Sequence, residues 1–74
     1  MGARTLTASD PPLPQRIKAL RRRMGLSTEQ FGRLFLVSPR TVEQWEQGRR
    51  HPRGLTLWEL EKQMAKRREQ LLLF

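Results

Sequence analysis

The stretch "GLSTEQFGRLFLVSPRTVEQWEQGRRHP", from Gly25 to Pro52, contains the start and stop signals of two short helices. Ser27 is a favourable N-cap, and Gln30 follows it at the spacing of a capping box. The first helix is therefore predicted to begin at Ser27 and to include the apolar residues that follow. Residues 36–38, "LVS", form the predicted turn between the two helices.

The second helix of this stretch is marked at both ends. Ser38 caps its start, and Pro39 occupies the first helical position, where the missing N–H has no cost. Gly48 ends the helix after about two and a half turns, as expected of a glycine that follows a helix. Two short helices joined by a tight turn form a helix-turn-helix architecture.

The two faces of the second helix carry different chemistry. Val42 and Trp45 are three residues apart and share one face, where we interpret them as core anchors. The alternative for Trp45 is an exposed platform for stacking bases, and the neighbouring Val42 favours the core. Arg40 and Gln44 lie one turn apart on the other face. Arginine pairs with guanine and glutamine with adenine in the DNA major groove, although either residue alone is typical of a solvated surface.

Further helices are predicted on both sides of this stretch, which makes the fold class all-α with four to five helices. Before it, an apolar stripe has helical spacing and is formed by Leu13, Ile17, Leu20 and Met24. After it, a helix from about 56 to 71 carries an apolar side formed by Leu57, Leu60, Met64 and Leu71, with Trp58 and Ala65 alongside. Residues 1–12 are interpreted as a flexible arm, and residues 13–74 as the domain, with the helix-turn-helix at about 27–48.

Composition limits the possible functions. A chain of 74 residues has room for one domain with a modest core. It has no cysteine and a single histidine, His51, so we expect no metal site and no cofactor. No histidine is grouped with carboxylates or hydroxyls, and there is no phosphate-binding glycine loop, so an enzyme is not expected. The first residues lack the apolar core of a signal peptide, which makes the cytoplasm the expected compartment.

The charge of the chain favours a polyanionic partner. The 15 Lys and Arg residues against 7 Asp and Glu give a net charge of +8. Nucleic acid is the first candidate for such a partner, and an anionic membrane is the second. Several of the arginines follow the second helix directly, in the loop "RRHPRG" at residues 49–54. Phosphate-binding charge at the edge of a helix-turn-helix is typical of proteins that bind double-stranded DNA.

The stretch from Gly25 to Pro52 resembles the helix-turn-helix of the phage repressor and Cro family, also called the Xre family. The similarity extends from about Leu13 to the middle of the fourth helix. The ending "WEQGRRHP" also resembles small antitoxins that regulate their own operons. The resemblance implies a Cro/repressor-like domain that binds operator DNA as a homodimer, associated with the nucleoid, and controls transcription, as a repressor. A toxin or another regulator is an implied protein partner.

The resemblance also implies roles for individual residues. Base contacts are implied for Pro39, Arg40 and Gln44, with Thr41 close by. Contacts to the DNA backbone are implied for Ser27, Thr28, Ser38, Gln47, Arg49, Arg50 and Arg53. A partly buried ion pair that ties the first helix to the third is implied for Arg21 and Glu46.

The chain departs from the family pattern at four positions. Leu36 stands where the family usually has glycine, so the turn is expected to differ or to be strained. Gly32 stands where alanine is common, and because both are small, close helix approach is expected to survive. Thr28 replaces a frequent glutamine, which weakens the case for a side-chain contact there. Pro39 cannot donate a hydrogen bond to a base, so its contact would be apolar, for instance with a thymine methyl.

Two other interpretations of the basic surface stay open. In one, the fourth helix with Lys66, Arg67 and Arg68 and the tail "LLLF" lies on an anionic membrane. In the other, the domain is a protein-interaction module for an acidic partner. The tail, residues 70–74, has three possible roles: it folds back on the core, pairs with another subunit, or marks where a longer protein was cut.

Overall fold

A computed structural model describes residues 11–73 of the chain, and the side chains of residues 11–66. Within that range the protein forms four α-helices and no strand, which confirms the all-α class. The helices are α1 (Leu13–Met24), α2 (Thr28–Phe35), α3 (Pro39–Gln47) and α4 (Gly54–Leu73). Most of the predicted N-terminal arm and the side chains of the tail lie outside the described residues.

The local signals at the ends of α1 and α2 act as predicted. Gly25 adopts a left-handed conformation with φ 71° and ends α1. The Ser27 hydroxyl accepts a hydrogen bond from the backbone N–H of Gln30 at 3.1 Å. The Gln30 side-chain oxygen in turn accepts one from the Ser27 N–H at 2.9 Å. This capping box fixes the direction in which α2 leaves the connection from α1.

The core takes buried side chains from all four helices. Phe31 of α2 and Val42 of α3 are fully buried, and α2 and α3 make the most extensive contact between any two helices. The buried set is Ile17, Leu20, Phe31, Val42, Trp45 and Leu60. Burying a side chain of this size stabilises a fold by roughly 1.5–3 kcal/mol. This small core therefore holds α3 against the body of the domain and leaves the opposite face of α3 outward.

The fourth helix is longer than predicted, and the prediction of which residues form its apolar side was wrong in part. It begins at Gly54, whose φ is 58°, and extends to Leu73. Leu60 is fully buried and Met64 packs against the core, but Trp58 and Ala65 are exposed. Trp58 lies two residues from Leu60, and at about 100° per residue its side chain is roughly 200° around the helix from the core.

The turn between α2 and α3 is strained at Leu36. This residue follows the end of α2 with φ 58° and ψ 41°, a left-handed conformation that glycine adopts without cost. The Val37 N–H donates to the Gly32 carbonyl at 2.9 Å, which closes the turn tightly over the last turn of α2. Leucine at position 36 therefore strains the turn, as expected for a residue that replaces the glycine usual in the family.

Gly32 is not interchangeable with alanine in this turn. A Cβ atom added at Gly32 would lie 2.6 Å from the Val37 carbonyl oxygen, a backbone atom that cannot move by side-chain rotation. The close approach expected at this position is present, and in this chain it requires glycine rather than alanine. The turn folds back so closely on α2 that only a hydrogen atom fits on the Cα of residue 32.

Candidate nucleic-acid interface

Helix α3 has one buried face and one solvent-facing face. Val42 is fully buried and Trp45 is 4% exposed, which confirms that Trp45 belongs to the core and is not a stacking platform. On the opposite face Arg40 is exposed and Gln44 is half-buried. No hydrogen bond joins either of these two side chains to another side chain in the described part of the chain. Their donors and acceptors are therefore available to an external ligand.

The start of α3 is fixed by its own side chains. The Ser38 hydroxyl accepts a hydrogen bond from the Thr41 N–H at 3.2 Å and lies 3.0 Å from the Thr41 hydroxyl oxygen. Thr41 is half-buried, whereas Ser38 and Pro39 are exposed. Because the Thr41 hydroxyl already bonds to Ser38, it is less free to contact a base than Arg40 is.

The start of α2 presents backbone donors. The first N–H groups of a helix have no partner within it, and the helix dipole makes this end attractive to an anion. In the capping box the Ser27 hydroxyl accepts from the Gln30 N–H and the Ser27 N–H donates to the Gln30 side chain, so a phosphate here would meet the hydroxyl hydrogen of Ser27 and the first N–H groups of α2. Thr28 is half-buried at this end.

A basic loop leaves the far end of α3. Gly48 ends the helix with φ 78°, and the Arg49 N–H returns to the Gln44 carbonyl at 2.9 Å. Pro52 is buried and anchors the loop, while the neighbouring cationic side chains stay in solvent. An open cavity of about 630 Å³ is lined by Trp45, Arg49, Arg50, His51 and Arg53. We name these last four residues the arginine loop.

The arginine loop is suited to bind a polyanion. Three guanidinium groups line one cavity in the described structure, where their mutual repulsion is relieved when an anion enters. Guanidinium groups also bind phosphate with paired hydrogen bonds. His51 lines the same cavity. In the sequence it stands between Arg50 and Pro52, and this place in the basic loop was its only signal.

Arg21 and Glu46 join α1 to the end of α3. The Arg21 Nε donates to Glu46 Oε2 at 2.7 Å, and Nη2 donates to Oε1 at 3.1 Å. The side chains are 16% and 9% exposed, so water screens the pair only weakly. The hydrogen bond to Glu46 raises the pKa of Arg21, and this guanidinium stays charged at physiological pH. Arg21 Nη1 also donates to the Leu26 carbonyl at 3.0 Å, a contact that no sequence signal indicated.

The structure therefore divides the candidate residues into four places. Arg40, Gln44 and Gln47 lie on the outer side of α3, and Pro39 and Ser38 stand at its start. Ser27 and Thr28 are at the start of α2, and the arginine loop lies beyond the C-terminal end of α3. Arg21 and Glu46 form a link between helices and present little surface to a ligand.

A membrane-spanning helix and a metal site would be two other uses of the described residues. None of the helices in that part of the chain is long and apolar enough to cross a membrane. Nor do the described residues include a group of three or more His, Cys, Asp or Glu side chains that could hold a metal ion.

Comparison with known proteins gives one match. A family model described as helix-turn-helix matches residues 17–71, a range that covers α2 and α3 entirely and most of α1 and α4. Among curated proteins and solved structures, none matches the chain.

Proposed function

The chain belongs to the helix-turn-helix family of the Cro and phage-repressor type, a family of DNA-binding regulators, and we propose that it reads operator half-sites as a homodimer and represses transcription. The unit that binds DNA in this proposal is residues 13–74. Because its ligand is genomic DNA, the protein would act in the cytoplasm, in association with the nucleoid.

The observation that carries this proposal is the outward face of α3. Arg40 and Gln44 lie one turn apart on it, and the burial of Val42 and Trp45 fixes the rotation of the helix about its axis. The B-DNA major groove, about 12 Å wide, admits an α-helix, and arginine and glutamine each make paired hydrogen bonds to one purine. We propose that Arg40 reads guanine and Gln44 reads an adjacent adenine.

The surrounding residues would set the position of α3 on the duplex. Pro39 has no N–H and would touch a base only through apolar contact, with Thr41 beside it. Contacts to phosphate and sugar position a protein without reading sequence. We assign these contacts to Ser27, Thr28, Ser38, Gln47, Arg49, Arg50 and Arg53.

A homodimer is proposed because one reading helix is short. Helix α3 has nine residues and presents few side chains to bases, which gives limited discrimination. Two copies related by a twofold axis would read two half-sites about 34 Å apart, one turn of B-DNA. A protein bound in this way covers operator DNA and blocks access to it, which is the simplest route to repression.

Selection of bound duplexes from a random pool tests this function directly. The proposal predicts that the enriched sequences contain two inverted half-sites whose centres are about 10 base pairs apart. A matched selection with the Arg40→Ala, Gln44→Ala double variant should lose the enriched pattern and keep salt-dependent binding. If the wild-type protein enriches no sequence, operator reading is wrong; if it enriches a single half-site, the homodimer is wrong.

A further inference from the structure

A set of large apolar side chains lies exposed at one end of the domain. Among the described residues, Leu36 is 92% exposed, Leu55 80%, Leu34 56% and Trp58 55%. Leu34 and Leu36 come from the end of α2 and its turn, and Leu55 and Trp58 from the first turns of α4. Isolated exposed leucines are ordinary, but a group of them on neighbouring elements indicates an interaction surface.

Three of these side chains line one groove. Leu34, Leu36 and Leu55 join Met24 and Phe35 around an opening of about 420 Å³ between the end of α2 and the start of α4. We name these five residues the apolar groove. Thr56, Glu59 and Gln63 form its polar edge along α4. Trp58 follows Leu55 by three residues and therefore extends the same side of α4 beyond the groove.

The apolar groove contains none of the proposed DNA contacts, and its member Leu36 stands two residues before Ser38. It shares no residue with the cavity of the arginine loop, and it includes none of the candidate base-contacting residues. On α2 it occupies the C-terminal end, whereas the proposed phosphate contacts Ser27 and Thr28 stand at the N-terminal end. An eight-residue helix is about 12 Å long, so the two sites are at opposite ends of α2.

Exposed cations stand beside the groove. Lys62 follows the lining residue Glu59 by three positions on α4, and Lys66 follows Gln63 by three, so both lie on the groove side of that helix. Arg23 and Arg33 are exposed sequence neighbours of Met24 and Leu34. The Lys62 ammonium lies 4.7 Å from the centre of the Trp58 ring, so a cation covers the exposed indole. Glu59 is the charged side chain that lines the groove, and Arg33 is paired with Glu29, one turn earlier on α2, at 3.1 Å. Apart from that pair, the cations Arg23, Lys62 and Lys66 outnumber the carboxylates Glu59 and Glu61 along this edge in the described residues.

We propose that the apolar groove is the docking site for a protein partner that inserts an amphipathic helix with acidic flanks. Leucine-lined grooves bind the apolar face of a helix through side chains at spacings of three and four residues. Acidic residues beside that face would meet Arg23, Arg33 and Lys62 at the rim, where opposite charges speed association and select the partner. This proposal goes beyond DNA binding and does not depend on it.

A second copy of the chain fits this groove less well. In a twofold interface the same patch contacts itself, and the basic rim of one copy would face the basic rim of the other. An acidic partner neutralises that rim instead.

Two synthetic peptides test the proposal. One is a helical peptide with leucine at positions i, i+3, i+4 and i+7 and glutamate elsewhere, and its matched control carries lysine in place of each glutamate. Fluorescence anisotropy of labelled peptide gives the affinity, and backbone amide shifts in NMR spectra of the full chain give the location. We expect the acidic peptide to bind at least about tenfold more tightly than the basic one, with shifts at 34–36 and 55–59.

Variants separate the apolar contact from the charge. Leu55→Gln, at an exposed position that changes no charge, should weaken the acidic peptide about tenfold, whereas Arg40→Ala should leave its affinity unchanged. The double variant Arg33→Gln, Lys62→Gln should reduce the difference in affinity between the acidic and the basic peptide. DNA affinity measured in parallel should be unchanged in Leu55→Gln, so failure of operator reading and failure of this proposal give different results.

Several outcomes would overturn the proposal. They are equal affinity of the two peptides, absence of binding by both, shifts confined to other residues, or full affinity in Leu55→Gln. Sedimentation that shows self-association of the wild type but not of Leu55→Gln would assign the groove to a second copy, which also overturns it.

Discussion

Arg21 on α1 and Glu46 at the end of α3 are joined by two parallel hydrogen bonds of 2.7 and 3.1 Å. Their positions are 25 residues apart in the sequence, so the pair fixes the spacing of two helices that do not follow one another in the chain.

Removing one partner of this pair should destabilise the domain. Arg21→Ala or Glu46→Ala leaves a poorly solvated charge without its counter-ion, and we expect a loss of about 2–4 kcal/mol in the free energy of unfolding. Arg21→Ala should cost more, because the Leu26 carbonyl also loses its donor. Urea unfolding of both single variants and the double variant measures the coupling, and the double variant should lose less than the sum of the singles.

The surface pair Glu29 and Arg33 provides the control for that experiment. These side chains are 65% and 74% exposed and one turn apart on α2, and such a pair is worth about 0.3–0.5 kcal/mol. Strictly additive losses at Arg21 and Glu46, or losses as small as those at the surface pair, would show that the buried link does not stabilise the fold.

The turn at Leu36 can be relieved of its strain. Leu36→Gly should raise the free energy of unfolding by about 0.5–1 kcal/mol, because glycine adopts the left-handed conformation freely and Leu36 buries almost no surface. Gly32→Ala should lower it, since the new methyl meets the Val37 carbonyl. Thermal unfolding checks both changes, and a stabilising Gly32→Ala would mean that the turn yields to the methyl group.

Replacing the arginines of the loop should reduce DNA affinity without changing sequence preference. Each of Arg49→Ala, Arg50→Ala and Arg53→Ala should weaken specific and non-specific duplexes about equally and lower the salt slope of binding by about one unit. Lys18→Ala, an exposed cation on α1, is the matched control and should leave the slope nearly unchanged. Unchanged slopes in all three loop variants would move the phosphate contacts to another surface.

Arg40 and Gln44 should affect sequence preference itself. Arg40→Ala is expected to cost about 1–3 kcal/mol on the selected operator and to relax preference at one position, a guanine. Gln44→Ala should do the same at an adjacent adenine. Arg40→Lys keeps the charge but loses the planar fork, so discrimination should fall while non-specific affinity stays the same. Binding to operators that carry each of the four bases at every position measures this, and an unchanged profile would show that Arg40 contributes only charge.

Local signals in the sequence predicted most of the fold, because they act over a few residues. The Ser27 capping box, the Ser38 cap and the glycines at 25 and 48 each end or begin a helix where expected. Trp58 was misplaced because it lies two residues from Leu60, which puts its side chain roughly 200° around α4 from the core. The lack of space for a side chain at Gly32 is caused by the Val37 carbonyl oxygen, five residues later in the sequence. The spacing of apolar residues does not predict such a contact.

The candidate site divides in the same way. The burial of Val42 and Trp45 was predictable, because their spacing alone separates the two faces of α3. The third hydrogen bond of Arg21, to the Leu26 carbonyl, and the shared cavity of the arginine loop arise from how connections fold back on the helices. Such arrangements are set by tertiary geometry, for which the sequence gives no periodic signal.

The position of Trp45 makes its fluorescence a probe of binding at the arginine loop. Its indole is 4% exposed and belongs to the core, yet it also lines the cavity of the arginine loop. An indole shielded from water emits at shorter wavelength than one in solvent, as Trp58 largely is. In a Trp58→Phe variant, all of the tryptophan fluorescence comes from Trp45, which lies between the core and the guanidinium groups of the arginine loop. We therefore expect a polyanion that binds in the arginine loop to shift the emission maximum of Trp45 or to change its fluorescence intensity, without any attached dye.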